Sequence, residues 1–201
     1  AGDKLEREHI SRREFALLDG SFRYWLFSMI MPTEIIEAIY TDGYLSIGGK
    51  QSTTSLAEKA GVTSNSRILD IGSGVGGPAR HLAATFGCRV TGIDLVDANV
   101  EEANRRADAD GVAHLATFIT GDALDLPFDN ETFDFVWGQD AWCHVPNKEQ
   151  LIAQAHRVLI RGGSVAFTDW VETGPMPADE RKNLLSAMAA PNTASIDDYR
   201  H

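Results

Sequence analysis

The feature that most constrains the fold is an apolar run that leads directly into four closely spaced glycines. It reads Ile68-Leu69-Asp70-Ile71-Gly72-Ser73-Gly74-Val75-Gly76-Gly77-Pro78. The apolar run is typical of a buried strand, and glycines permit a positive-φ turn in which a ligand can approach the backbone. Pro78 fits the first turn of a helix, where its missing N–H costs no hydrogen bond. The segment therefore predicts a strand, a tight turn and a helix.

The same alternation continues along the chain, which has five short runs rich in Ile, Val, Leu and Phe. They are Arg67–Ile71, Arg89–Ile93, Ala116–Thr120, Phe133–Trp137 and Ser164–Thr168. Helical stretches separate most of them, at Gly76–Phe86, Ala98–Ala109 and Lys148–Leu159. Strands alternating with helices are typical of βαβ units with right-handed crossovers. We therefore predict an α/β fold, a Rossmann-like doubly wound parallel sheet.

Length and charge limit the domain organisation and the partners. The 201 residues suffice for one domain, in which residues 1–60 form a helical N-terminal cap and residues 61–201 the core. The net charge of −11 argues against nucleic acid and anionic membranes as partners. The longest apolar run, residues 25–32, is far shorter than the ~20 residues of a membrane span. With two cysteines outside any CxxC motif, we expect a cytoplasmic protein.

Three aspartates lie at or just after the carboxyl ends of the first three predicted strands, and they indicate the class of ligand. Asp70, beside the glycine turn, would repel a pyrophosphate but suits a ligand with an ammonium group, such as S-adenosylmethionine. Asp94 can accept both ribose hydroxyls; the alternative is a helix N-cap, for which Asp97 is better placed. Asp122 can accept from the adenine amino group, although alone it would be an ordinary turn residue.

These segments together resemble the class I S-adenosylmethionine-dependent methyltransferases. The resemblance rests on residues 69–77, Gly92-Ile93-Asp94, Gly121-Asp122-Ala123 and Arg157-Val158-Leu159 with the later Gly162-Gly163. It implies S-adenosylmethionine as cofactor, S-adenosylhomocysteine as product, and a seven-strand sheet with the cofactor across its carboxyl ends. The cofactor contacts it implies are Asp70, Gly72, Ser73, Gly74, Asp94, Leu95, Asp122, Ala123 and Gln139.

The loop after the fourth strand resembles that of small-amine N-methyltransferases, the sarcosine/dimethylglycine and phosphoethanolamine groups. The resemblance implies that Asp140 holds the amine and that His144 orders it or accepts its proton. The alternative is a capping Asp and a packed His. Residues 44–49 resemble the segment of the phosphobase enzymes that closes over the cofactor, so Leu45 and Ser46 would touch the methionyl end.

Several alternatives stay open at this stage. The acceptor is expected to be a small molecule, with an amine favoured over carbon or oxygen methylation, and the chain a monomer or homodimer. Other classes are a non-catalytic S-adenosylmethionine-binding module and an NAD-dependent oxidoreductase. No metal-ligand spacing is present. Ser195 is expected to begin a helix as its N-cap, and the family's last two strands are expected to be missing. A cation–π wall and plain core packing are alternatives for five aromatics, namely Trp25, Tyr40, Tyr44, Trp142 and Trp170.

Overall fold

The computed structural model describes residues 43–45, 48–172, 174–188, 190–192 and 194–195. The cap expected over residues 1–60 lies mostly outside this part, as do Trp25, Tyr40 and Ser46. The helices are α1 (Gly49–Ala60), α2 (Gly77–Phe86), α3 (Asp97–Ala109), α4 (Lys148–Val158) and α5 (Ala178–Met188). The strands are β1 (Arg67–Ile71), β2 (Arg89–Asp94), β3 (Ala116–Thr120), β4 (Phe133–Gln139), β5 (Leu159–Thr168), β6 (Val171–Glu172) and β7 (Ala194–Ser195).

Five strands form one parallel sheet in the order β3-β2-β1-β4-β5. The chain moves outward from β1 to β3 and then returns to the other side of β1. In such sheets the reversal opens a crevice at the carboxyl ends of the two central strands. The predicted doubly wound α/β fold is therefore confirmed, with the reversal between β1 and β4. The short strands β6 and β7 form a separate parallel pair.

Side chains of β1 alternate between two buried layers because successive residues of a strand point to opposite faces. Ile68 packs in one layer with residues of α1, α2 and α3. Leu69 and Ile71 pack in the other layer with residues of α4. By the same alternation, Asp70 faces the layer that contains α1. None of the helices in the described part of the chain is long and apolar enough to cross a membrane.

The fifth strand begins earlier than the sequence predicts. Leu159, expected to end a helix, is the first residue of β5 and pairs with Phe133. The next ladder partners are Phe135 and Ser164, so the intervening residues of β5 bulge out of register. Gly162, at φ +80°, supplies the left-handed backbone inside this bulge. Tertiary pairing has extended the strand across a segment that resembled a helix end.

The C-terminal prediction is wrong at its first residue. Ser195 was expected to be a helix N-cap, but it is the second residue of β7 and lies opposite Glu172 of β6. A Ser followed by Asp residues resembles a helix start, because side-chain oxygens of these types cap helices. Strand pairing with β6 overrides that local preference here. Residues 196–201, expected to continue the helix, lie outside the described residues.

Residues 43–45 lie directly against the glycine turn and the start of α2. A Cβ on Gly77 would clash with the backbone carbonyl of Gly43, and it would approach the Tyr44 ring to 3.3 Å. A Cβ on Gly74 would lie 3.0 Å from Leu45 Cδ1. The absence of side chains at Gly74 and Gly77 thus allows this strap, which we define as residues 43–45, to pack on the turn.

Gly77→Ala should separate the strap from the turn. The added methyl group would meet the Gly43 backbone, which cannot move aside as a flexible side chain could. We therefore expect the free energy of unfolding to fall by about 1–3 kcal/mol, the usual cost of overpacking. Urea denaturation would measure it, with Gly174→Ala as the control, since a Cβ there meets nothing within 4 Å. Equal stability of the Gly77 variant and wild type would contradict the packing of the strap.

Candidate functional site

Asp70 is a buried carboxylate at the carboxyl end of β1, beside the point where strand order reverses. Its side chain is 1% exposed, and its Oδ2 receives no hydrogen bond from the described residues. Burial, with a smaller contribution from the nearby negative charge of Asp94, raises the pKa of Asp70 to about 7. Because buried polar atoms are almost always paired, this oxygen fits a ligand that brings a positively charged donor.

The glycine turn is held by the neighbouring strand. The Gly72 and Ser73 amides both donate to the Ile93 carbonyl, at 2.8 and 3.1 Å, and the Gly74 amide donates to Asp94 Oδ2 at 2.8 Å. The Gly72 and Gly74 amides are therefore engaged within the protein. The buried Ser73 Oγ has no hydrogen-bond partner in the described part of the chain. Hydrogen bonds thus hold the turn rigidly, and its Ser73 hydroxyl has no partner among the described residues.

Asp94 connects the turn to the start of α3. Its Oδ1 accepts from the Val96 amide at 3.0 Å and from Asn99 Nδ2 at 3.2 Å. The neighbouring Leu95 is 60% exposed, so its side chain is accessible to a ligand. The N-cap expected at Asp97 is wrong: Asp97 is the first helical residue, and Val96 precedes it as N-cap.

Asp122 makes the contact of an ordinary turn residue. Its exposed carboxylate accepts from the Leu124 amide at 2.8 Å. Ala123 is half-buried and packs against the buried layer that contains Leu69, Ile71 and residues of α4. The turn follows β3, at the same sheet edge as the ends of β1 and β2. A role for Asp122 toward adenine therefore stays a prediction.

Gln139 ends β4, and its amide is held by two side chains. Its Oε1 accepts from Thr53 Oγ1 at 2.8 Å and from Trp137 Nε1 at 3.2 Å. The residue is 7% exposed, and its Nε2 is buried with no acceptor among the described side chains and backbone groups. Gln139 thus presents a fixed and unsatisfied donor.

The loop after β4 carries Asp140 and His144 and is tied to its surroundings. Asp140 has φ +53°, a sparsely populated conformation for a residue other than glycine. Its amide donates to the Thr168 carbonyl, and its Oδ1 accepts from Thr168 Oγ1 at 2.9 Å. His144 is half-buried and ends a single 3-10 turn, Trp142–His144. The 3-10 turn does not include Asp140, so Asp140 and His144 do not lie on one helical turn.

Two further residues hold this loop at its other end. Lys148 Nζ donates to the Trp142 and Val145 carbonyls, each at 2.6 Å, and the Cys143 amide donates to Asp169 Oδ1 at 2.9 Å. Burial lowers the pKa of Lys148, and the negative charge of Asp169 opposes that shift. These contacts fix the backbone that carries His144.

Two side chains of the loop serve packing rather than chemistry. Trp142 is fully buried, donates to the Ile71 carbonyl at 3.3 Å and stacks on Phe167 with ring centroids 4.7 Å apart. It is therefore core and cannot form part of an open cation–π wall. Cys143 is also buried, and burial raises the pKa of its thiol to about 12, so it stays protonated. Tyr44 is buried, whereas Trp170 is 41% exposed.

Sequence reasoning missed the residues that hold the site. Thr53, Thr168, Asp169 and Lys148 each contact a candidate site residue or its loop, but none lies in a recognisable motif. Thr53 lies 86 residues before Gln139, so spacing along the chain gives no signal of the contact. Thr168 could have been found, because β4 and β5 are parallel neighbours whose carboxyl ends meet at one edge.

Comparison with known proteins agrees with this geometry. Residues 69–167 match a methyltransferase domain family. A sterol 24-C-methyltransferase of Kluyveromyces lactis is 40% identical over 118 residues, 59% of this chain and 32% of that protein. A sarcosine/dimethylglycine N-methyltransferase of Halorhodospira halochloris is 39% identical over 116 residues, 58% of this chain and 40% of that protein.

A solved structure extends the similarity over nearly the whole chain. The phosphoethanolamine N-methyltransferase 2 of Haemonchus contortus, in complex with S-adenosyl-L-methionine, superposes with a TM-score of 0.77 at 25% identity. The superposition covers 96% of this chain and 43% of that one. The chain belongs to the class I S-adenosylmethionine-dependent methyltransferases, as the glycine turn and strand order predict. Small-amine N-methyltransferases are among the members that it resembles. It spans 32% and 40% of the length of the two curated relatives named above.

The buried carboxylate predicts a pH dependence of stability. Because the folded protein holds the Asp70 proton more tightly than the unfolded chain, this contribution to stability is complete below the unfolded pKa of about 4. It is lost as the pH rises through about 7. Asp70→Asn cannot ionise, so we expect its free energy of unfolding to fall less than that of wild type between pH 4 and 7.5.

Urea denaturation at several pH values in the absence of ligand would measure the difference. Asp125→Asn, which removes an exposed carboxylate, is the matched control. Parallel pH profiles for wild type and Asp70→Asn would show that Asp70 ionises as readily when folded as when unfolded, contrary to its burial.

Proposed function

We propose that this chain transfers a methyl group from S-adenosylmethionine to a small-molecule acceptor. The acceptor that we favour is an amine, such as a glycine derivative or an ethanolamine-type base. The observation that carries the proposal is a set of buried polar atoms at the ends of β1 and β4 that have no hydrogen-bond partner among the described residues. They are Asp70 Oδ2, Ser73 Oγ and Gln139 Nε2. An acceptor, a hydroxyl and a donor together match the ammonium and carboxylate of an amino-acid end.

The residues at this edge fit the cofactor class. Asp70 would take the ammonium, and Gln139 with Ser73 the carboxylate, of the methionyl group. Asp94 has accepted three hydrogen bonds within the protein. A carboxylate offers about four acceptor positions, so it retains room for a ribose hydroxyl. Leu95, Asp122 and Ala123 would line the adenine, with Leu45 and Ser46 near the methionyl end. Bound S-adenosylmethionine supplies both the methyl group and the leaving group of an in-line displacement.

The chain's own contribution is alignment of the acceptor and removal of its proton. An ammonium has no lone pair, so an amine acceptor must lose a proton to become a nucleophile. His144 is the candidate base because imidazole titrates near neutral pH. Asp140 would hold the cationic form and position it. The anchored backbone on both sides of His144 supports such a role, because a catalytic group must be held in a narrow range of orientation.

Carbon methylation is a second candidate, supported by the similarity to a sterol 24-C-methyltransferase. A screen for release of S-adenosylhomocysteine separates the two. It would compare glycine, sarcosine, dimethylglycine, ethanolamines and phosphobases with sterols and small phenols. We expect turnover with one or more amines. Turnover confined to sterols or phenols would contradict the amine assignment, and binding without turnover of any acceptor would favour a non-catalytic module.

Two variants of the acceptor loop test the assigned roles. His144→Ala should lower kcat about 100-fold or more and flatten the acid limb of the pH–rate profile, the usual result of losing a general base. Asp140→Asn should raise the acceptor KM more than it lowers kcat, since its role is positioning. The affinity for S-adenosylhomocysteine, measured by calorimetry, is the control and should change little in both. Full turnover of His144→Ala with an intact acid limb would show that the histidine only packs.

A further inference from the structure

A buried contact crosses from α1 to the end of β4 and fixes the orientation of one side-chain amide. Thr53 lies on α1 and is completely buried, and its hydroxyl is within hydrogen-bonding distance of two carbonyl oxygens. These are Gln139 Oε1 at 2.8 Å and the Gly49 carbonyl at 3.2 Å. A hydroxyl has one hydrogen to donate, and the shorter contact is the one to Gln139.

Trp137 decides which atom of the Gln139 amide is the oxygen. An indole N–H can only donate, so the amide atom 3.2 Å from Trp137 Nε1 must be the acceptor. The same atom then accepts from Thr53 as well. If the amide were flipped, its NH2 group would face the Trp137 N–H and the Thr53 O–H, which are both donors. The flipped orientation is therefore disfavoured. The orientation of Gln139 is therefore set by its surroundings.

The other end of the amide is left with hydrogens to donate. Gln139 Nε2 is buried, and no described residue accepts from it. Trp137 packs in the layer that contains α1, and Gln139, two residues on, faces the same way. Asp70 faces this layer from the adjacent strand, where it lies opposite Trp137 in the ladder. An unsatisfied donor and an unsatisfied acceptor thus share one sheet face on neighbouring strands.

The Tyr44 side chain of the strap is buried too, and its hydroxyl has no hydrogen-bond partner among the described residues. Burial raises the pKa of the Tyr44 phenol, and Thr53, Arg80 and Asp70 are all close enough to change it further. The phenol therefore lies near both the Thr53 hydroxyl and the Asp70 carboxylate. Four buried polar residues thus lie near the carboxyl ends of β1 and β4, namely Thr53, Gln139, Tyr44 and Asp70.

We propose that Thr53 and Trp137 are positioning residues that orient the Gln139 amide so that its N–H groups bind the carboxylate of the methionyl end of the cofactor. The inference rests on the proposed function and assigns a role to α1 within it. Thr53 acts through Gln139 and does not itself touch the ligand. The amide and Asp70 then recognise the two charges of an α-amino acid together.

The test compares S-adenosylhomocysteine with methylthioadenosine, which has the same nucleoside and thioether but lacks the amino-acid end. Both are titrated calorimetrically into wild type, Thr53→Val and Thr53→Ser. Thr53→Val keeps the shape and removes the hydroxyl, so S-adenosylhomocysteine should bind about 3- to 10-fold more weakly, the effect of one hydrogen bond. Methylthioadenosine should bind within about 2-fold of wild type, because it does not use the amide, and Thr53→Ser should restore the affinity for S-adenosylhomocysteine.

A second variant keeps the proposal testable if Thr53→Val folds poorly. Gln139→Glu replaces the donor by an oxygen and would place a carboxylate against a carboxylate. It should lose S-adenosylhomocysteine binding by 10-fold or more and retain methylthioadenosine binding. Unchanged S-adenosylhomocysteine affinity in Thr53→Val, or an equal loss for both ligands, would overturn the positioning role and leave the proposed function intact. Failure of wild type to bind either ligand would overturn both.

Discussion

Burial of Asp70, whose Oδ2 has no hydrogen-bond partner among the described residues, is the constraint on which the site depends. A carboxylate removed from water is unfavourable unless it is protonated or paired. It lies at the end of the central strand, where strand order reverses and a crevice must open. The fold therefore holds a buried acceptor at the sheet edge where ligands of doubly wound folds bind. The glycine turn, the strap and the end of β4 are arranged around the Asp70 carboxylate.

The rigidity of the surroundings follows from hydrogen bonds between neighbouring strands. Asp94 at the end of β2 holds the turn after β1, Thr168 at the end of β5 holds the loop after β4, and Thr53 of α1 holds the last residue of β4. In each case one element fixes the functional end of another. Such preorganisation is what methyl transfer requires of a protein, because the reacting bond is supplied by the cofactor and the protein supplies alignment.

The fold could be predicted from the sequence because strands of a parallel sheet are buried on both faces and read as apolar runs. The glycine turn and Asp70 could be found because several glycines next to an aspartate at the end of a strand seldom occur without a ligand to bind. The bulge before Ser164 and the strand at Ser195 could not, since pairing with Phe133 and Glu172 decides them. For Trp142 the sequence left a cation–π wall and core packing open, and only its stacking on Phe167 shows that it is core. Thr53 left no local signal because its contact spans 86 residues.

The central claim is that the crevice at β1 and β4 binds an adenosylated amino acid rather than a dinucleotide. Calorimetric titration of the wild-type chain with S-adenosylhomocysteine, and separately with NAD, tests it most directly. We expect saturable one-site binding of S-adenosylhomocysteine that is weakened by Asp70→Asn, and no binding of NAD. Saturable binding of NAD, or S-adenosylhomocysteine binding that is unaffected by Asp70→Asn, would contradict it.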